Sequence, residues 1–288
     1  MDEHRIITWR VGDVRITKVL EHESAFPPQF LLPAADPAEL DKIGWLKPHF
    51  LTSKGLMRLS VHALVVETPT LKILVDTCVG NDKQGRQVAD WNERTTPFLG
   101  FLAEAGYAPD DIDVVLCTHL HADHVGWNTT LVDGAWQVTF KRARHLIHRV
   151  EYDYWSSQTD AETKAMLADS LQPVIEADLA ELVELPLQLC EEVALVPSPG
   201  HTPGHCSVAI ASRGERAMIT GDFMHHPCQI ARPHWNAVSD RDPDQAERTR
   251  REQLGACAAG GVLVIGTHFP GPTAGRVSPE GGAWRFDV

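Results

Sequence analysis

The stretch THLHADHVG, Thr118 to Gly126, places His119, His121, Asp123 and His124 within six consecutive positions. Neutral imidazole is the commonest metal ligand among side chains and carboxylate a usual oxygen partner, so the spacing H-x-H-x-D-H reads as a metal cradle. Residues two apart share one side of an extended segment and lie on nearly opposite sides of a helix, so His119 and His121 can face one ion from an extended segment. Asp123 and His124 are adjacent and must diverge, which suits two ions better than one. The bland alternative is a histidine-rich polar loop in a chain with 15 histidines. The density of the pattern argues against it.

The elements that must position these groups share one feature. DVVLCTHLH is an apolar run ending in His119 and His121, VALVPSPGH ends in His201, RAMITGD in Asp222 and GVLVIGTH in His268. Four separate runs of strand length thus terminate in a metal-capable side chain. In layered α/β folds the loops at strand ends sit over the sheet edge and build the site, so ligands from distant positions can converge there.

Other segments fill in the frame. A first hairpin is expected near Ile6 to Glu21. LSVHALVVET and LKILVDTC flank the turn Thr68-Pro69-Thr70 as a second hairpin of β-branched residues. TPFLGFLAEAGY reads as an amphipathic helix closed by Gly106. Leu146 to Leu185 reads as mostly helical, with VEYDYW and DLAELVEL at helical spacing, and Asp244 to Ala259 as a further helix. Phe26 to Phe50, rich in proline and aromatics, reads either as an irregular crossing or as a cap that supplies apolar walls to a pocket.

At 288 residues the chain can bury a sizeable core, and no repeat or linker divides it. The expectation is one domain over 1–288, with 22–58 as an N-terminal cap segment. Its 26 basic against 39 acidic residues give a net charge of -13, which offers no general attraction to a phosphate backbone and disfavours a nucleic-acid partner. Two basic runs, KRARHLIHR (Lys141 to Arg149) and ERTRRE (Glu247 to Glu252), read as solvated helix faces or structural salt bridges. The six cysteines are scattered without a C-x-x-C pair, which suggests reduced, mostly buried thiols. The opening MDEHRIITWR is charged and lacks the apolar region of a signal peptide. The longest apolar stretch, Leu254 to Gly266, is too short to span a bilayer. A cytoplasmic protein with no membrane partner is the expectation.

Five motifs now stand in order: Asp76 in LVDTC, then THLHADH, PGHTPGH, TGD and GTH. On these the chain resembles the metallo-β-lactamase-fold hydrolases, from about Leu59 to Phe269. The resemblance implies an α/β fold of the αβ/βα type, a four-layer sandwich of two mixed β-sheets packed face to face with helices outside, and a dinuclear metal centre at one edge. It assigns His119, His121 and His201 to one metal, Asp123, His124 and His268 to the second, and Asp222 to both. Asp76 matches an aspartate that supports the ligands, and His205 would orient a neighbouring group by hydrogen bond. The implied cofactors are two divalent ions, zinc first, with manganese, cobalt or iron as alternatives for such N/O donors. The implied reaction is hydrolysis of an ester-like bond of a small molecule (lactone, carboxylic ester or phosphotriester) by a hydroxide bridging the metals, with Asp123 moving a proton.

Lactonases of acyl-homoserine lactones resemble the chain but place tyrosine three residues after the bridging aspartate, where this sequence has His225. GDFMHHPCQIARPHW resembles more closely the branch that includes methyl parathion hydrolase. His225 is accordingly a candidate catalytic residue that donates a hydrogen bond to a substrate oxygen. A β-lactamase proper usually lacks the histidine equivalent of His124 as a ligand. Three alternatives stay open: a glyoxalase-II-like thioesterase, a mononuclear iron persulfide dioxygenase that would use His119, His201 and Asp222 alone, and a non-catalytic binding module. Family habit suggests a homodimer.

Overall fold

The computed structural model describes residues 5–288; the first four residues of the charged N-terminal stretch lie outside them. In chain order come β1 (Ile6–Val11), β2 (Val14–Phe26), α1 (Pro37–Asp41), β3 (Met57–Glu67), β4 (Lys72–Val75), α2 (Phe98–Glu104), β5 (Val114–Leu116), α3 (Ala122–Val125), β6 (Thr129–Val132), β7 (Ala135–Val138) and β8 (Arg144–His148). There follow α4 (Arg149–Ser156), α5 (Ala161–Met166), α6 (Gln172–Glu176), β9 (Ala180–Val183), β10 (Leu187–Gln188), β11 (Val193–Pro197), β12 (Cys206–Ser212), β13 (Glu215–Ile219), α7 (Cys228–Ala231), α8 (Pro243–Gly260), β14 (Leu263–Ile265), β15 (Ala274–Glu280) and β16 (Ala283–Asp287).

The strands form two seven-stranded sheets, in the orders β1-β2-β3-β4-β5-β8-β9 and β10-β11-β12-β13-β14-β15-β16, and a separate β6-β7 hairpin. Both sheets are mixed: β4, β5, β8 and β9 run parallel in the first, β13 and β14 in the second, and the other pairs are antiparallel. Side chains alternate between the faces of a strand, and β3 uses both. Leu64 and Val66 enter the core between the sheets with Val208, Ile210 and Ile219 of the second sheet. Ala63 and Val65 face the opposite way, onto Phe98 and Leu102 of α2, Trp155 of α4 and Met166 of α5. The outer face of the second sheet, through Val264, Val277 and Phe286, is covered by Leu254 and Cys257 of α8 and by α7. The result is the expected four-layer sandwich, helix, sheet, sheet, helix.

The ends of α8 show why the sequence forms it. The Asp242 side chain accepts the Gln245 N–H, Pro243 opens the first turn, and Gly261 closes the helix at φ 58, where a residue without Cβ is unstrained.

Two readings of the sequence need correction. The stretch around DLAELVEL is not helical: Asp178 at φ 57 ends the preceding helix, and Ala180–Val183 pairs in parallel with β8 as an edge strand. Four residues are too few for periodicity to separate helix from strand, and the open edge of β8 decided it. KRARHLIHR likewise contributes β8, with Leu146 and Ile147 buried and exposed Arg144 paired to Glu181. In the other basic run, on α8, Arg250 is not on a solvated face but fully buried in a structural salt bridge to Asp240, the other alternative for that run. The irregular segment after β2 packs Leu32, Leu40, Leu46 and Phe50 beneath the second sheet's outer cluster. All six cysteines are free, and five are buried. Among the described residues no helix is long and apolar enough to cross a membrane.

Candidate metal centre

β4 and β5 are parallel neighbours in one sheet, β13 and β14 in the other, so their C-terminal ends lie at common edges. Asp76 follows β4, His119 and His121 follow β5, Asp222 follows β13 and His268 follows β14. The N–H of Cys206 donates to the Thr118 carbonyl at 2.9 Å and ties the two edges together. His201 joins from the loop between β11 and β12, Asp123 and His124 from α3. The structure therefore brings all seven sequence-predicted ligand residues to one place.

Their atoms fall into two groups around Asp222. His121 Nδ1 lies 2.8 Å from His119 Nε2 and 2.9 Å from His201 Nε2. On the other side, Asp123 carboxylate oxygens lie 3.6 Å from His124 Nε2 and 3.4 Å from His268 Nε2. Asp222 Oδ2 sits between the groups, 3.8 Å from His119 Nε2, 3.7 Å from His201 Nε2, 3.4 Å from His124 Nε2 and 3.2 Å from His268 Nε2.

The far nitrogen of each of four rings is anchored, which assigns the tautomer. His124 Nδ1 donates to Asp76 Oδ2 at 3.0 Å, His201 Nδ1 to Asp240 Oδ1 at 2.9 Å and His268 Nδ1 to the Ser60 carbonyl at 2.9 Å. The Thr118 hydroxyl donates to Asp76 Oδ2 and so accepts from His119 Nδ1 at 3.1 Å. With those far nitrogens anchored, all four rings turn Nε2 inward. His205 works on the backbone: its Nδ1 donates to the Ser198 carbonyl, leaving Nε2 to accept the Asp222 N–H at 2.7 Å. Gly221 makes room for this contact, since a Cβ there would lie 2.4 Å from His205 Nε2.

Electrostatics follow from burial. Burial and then neighbouring imidazoles push His119 and His121 well below the usual histidine range, keeping both neutral as a ligand must be. Burial also opposes charge on His124 and His268, but Asp222 and Asp123 outweigh it and raise both. Against its burial, Asp222 is held well below the carboxylate range by His268, His124 and His225.

The donor set fits a pair of cations. The His119 and His201 lone pairs face the same His121 nitrogen, and one proton there can satisfy only one of them; a bound cation satisfies all three. Asp222 Oδ1 is buried with no hydrogen-bond partner. Among the described residues the ion pairs of Asp76, Asp123 and Asp222 are all with histidines, so three buried carboxylates lack a fixed positive charge.

His225, the other candidate, is buried with Nε2 3.3 Å from Asp222 Oδ2 and its ring 4.8 Å from His201. It lines, with His121, Asp123, Asp222 and His268, a cavity of about 1700 Å³. Phe26, Phe30 and Leu31 give that cavity part of its apolar wall.

Sequence reasoning missed Asp240, which follows α7 without a strand to announce it, and Arg250. The Arg250 guanidinium donates to the carbonyls of Phe223 and Pro233 and faces Asp240 Oδ2 at 3.4 Å. It missed Glu21 too, which accepts from the N–H groups of Val79 and Gly80 and from Trp127 Nε1 and so braces the loops beside Asp76 and His124.

Comparison with known proteins agrees with this geometry. Residues 56–254, well over half of the chain, match the family described as Metallo-beta-lactamase superfamily. An N-acyl homoserine lactonase of Bacillus cereus is 28% identical over 172 residues, 56% of this chain and 62% of its own length. An N-acyl homoserine lactonase, AiiA, of Bacillus thuringiensis subsp. kurstaki is 28% identical over 181 residues, 59% and 65% respectively, so the chain spans less than two thirds of these curated relatives. Among solved structures, a complex of AidC, described as a dizinc quorum-quenching lactonase, with a product superposes with TM-score 0.81 at 24% identity over 99% of this chain and 98% of its own, a likeness of fold.

Proposed function

The chain belongs to the metallo-beta-lactamase superfamily, and from that premise we propose that it is a metal-dependent hydrolase that cleaves an ester-like bond of a small molecule: a lactone, a carboxylic ester or a phosphotriester. The lactonases among its relatives support the lactone arm of this reading. The observation that carries it is the position of Asp222 Oδ2, within 3.8 Å of inward-facing Nε2 atoms from both histidine groups.

His119, His121 and His201 would hold one divalent ion, Asp123, His124 and His268 a second, and Asp222 both. Zinc or a similar ion supplies Lewis acidity that makes water a nucleophile at neutral pH and withdraws charge from the oxygens of the scissile bond. The remaining tasks fall to side chains. The Asp123 carboxylate, facing the cavity, takes a proton from the attacking water and returns it toward the departing oxygen. His225 Nε2, no longer tied to Asp222 once that carboxylate is engaged, donates to a substrate oxygen. Leu59, Val61 and Val238, with the Phe26 to Leu31 stretch of the segment 22–58 acting as a cap, exclude water from the bond under attack. A mononuclear iron oxygenase built on His119, His201 and Asp222 would give Asp123, His124 and His268 no reason to gather at the same carboxylate.

Elemental analysis of the purified protein, followed by a panel of lactones, esters and phosphotriesters, tests the proposal. About two divalent ions per chain are expected, with turnover lost on chelation and restored by zinc. About one iron per chain with oxygen uptake would overturn it.

A further inference from the structure

Glu151, in the first turn of α4, is 1% exposed, and among the described residues its carboxylate hydrogen-bonds to none of the seven ligand side chains. Its two oxygens serve two different loops. Oε1 accepts the Leu120 N–H at 3.1 Å, between His119 and His121, and also Trp155 Nε1 at 2.6 Å. Oε2 accepts the Gly204 N–H at 2.9 Å, three residues beyond His201. The Trp155 ring in turn stands edge-on to His121, with centroids 5.1 Å apart.

Gly204 is gripped from both sides of its peptide, since its carbonyl accepts from His148 Nδ1 at 2.7 Å. A Cβ on Gly204 would lie 2.3 Å from the Glu151 nitrogen, so the helix presses directly on the loop. The loop carrying His119 and His121 extends from one sheet and the loop carrying His201 from the other, and this carboxylate is fastened to both.

We propose that Glu151 is a positioning residue that sets the separation of His121 from His201, and with it the affinity of the ion assigned to His119, His121 and His201. The inference rests on the metal-centre reading above. Only an acceptor with two oxygens meets these N–H groups; glutamine would turn an amide donor toward one of them. The second group is anchored elsewhere, His124 by Asp76 and His268 by Ser60, and does not depend on Glu151.

The test measures zinc per chain under graded chelator, alongside the melting temperature of the metal-free protein. In a His268→Ala background, where the ion of the first group is the one retained, Glu151→Gln weakens zinc retention by about 10- to 100-fold. In a His201→Ala background the same change leaves the retained ion's affinity unaltered. Glu151→Asp, which keeps the charge but reaches one methylene less, gives the same selective loss and serves if the glutamine variant does not fold. Unchanged retention in both backgrounds overturns the proposal. Equal weakening in both with a lower metal-free melting temperature, or failure of both variants to fold, assigns Glu151 to the fold alone and overturns it too. A wild-type protein that binds no zinc contradicts the metal-centre reading itself, a result distinct from these.

Discussion

Asp240 Oδ1 accepts the Nδ1–H of His201 at 2.9 Å, while Oδ2 of the same carboxylate faces the buried guanidinium of Arg250 at 3.4 Å. One residue thus orients a candidate ligand and neutralises a cation that has no access to solvent. Asp240→Ala should weaken metal binding by about 10- to 100-fold, the usual effect of removing a ligand's supporting partner. It should also cost about 3–5 kcal/mol of stability, because Arg250 is left buried without its counter-charge. Zinc titration and urea denaturation of the metal-free protein report the two effects separately. A variant that holds zinc as the wild type does would show that His201 needs no such support.

Asp222 and His225 should separate in mutants although their side chains lie 3.3 Å apart. Asp222→Ala removes the oxygen that both histidine groups face, so metal content and turnover should fall together. His225→Ala should lower turnover or change selectivity with metal content nearly intact. Metal analysis and kinetics on the same preparations decide it, and an Asp222→Ala enzyme with both ions and full activity would refute the partition of ligands.

Gly126, the last residue of the THLHADHVG stretch, is held by space rather than conformation. A Cβ there would stand 1.8 Å from the Val79 carbonyl oxygen, in the loop that follows Asp76. Gly126→Ala should destabilise by at least the ~1–3 kcal/mol typical of overpacking, since the obstacle is backbone. Thermal melting measures this, and an unchanged melting temperature would contradict the packing of these loops.

His226 makes the fold sensitive to acid. Its Nε2 donates to the Phe50 carbonyl at 3.0 Å and its Nδ1 accepts the Cys228 N–H, and the second contact requires the neutral ring. Burial lowers its pKa from 6.5 to about 4, with the Phe50 contact opposing weakly. Because the folded value lies below the unfolded one, the unfolded chain binds more protons between these limits. Stability is therefore lost as pH falls from about 6.5 toward 4, by on the order of 3 kcal/mol for this residue. Urea midpoints across that range should fall, and less steeply in His226→Gln. An equal slope in the variant would exclude His226 as a source of the effect.

The sequence by itself carried the chemistry and much of the frame. His119, His121, His201, Asp222 and His268 each close an apolar run, and the alternation in those runs is local information that survives without coordinates. The strand Ala180–Val183 was not legible, because a short segment takes its state from the open edge of β8 beside it. The tertiary structure alone decided that Asp240 orients His201 from 39 residues away, that Arg250 leaves solvent to neutralise it, and that Glu151 joins loops on two sheets. A ligand's identity follows from its own donor atom and its neighbours in the chain. A supporting hydrogen bond exists only where the packing of distant elements brings donor and acceptor within about 3 Å, and no local pattern encodes that meeting.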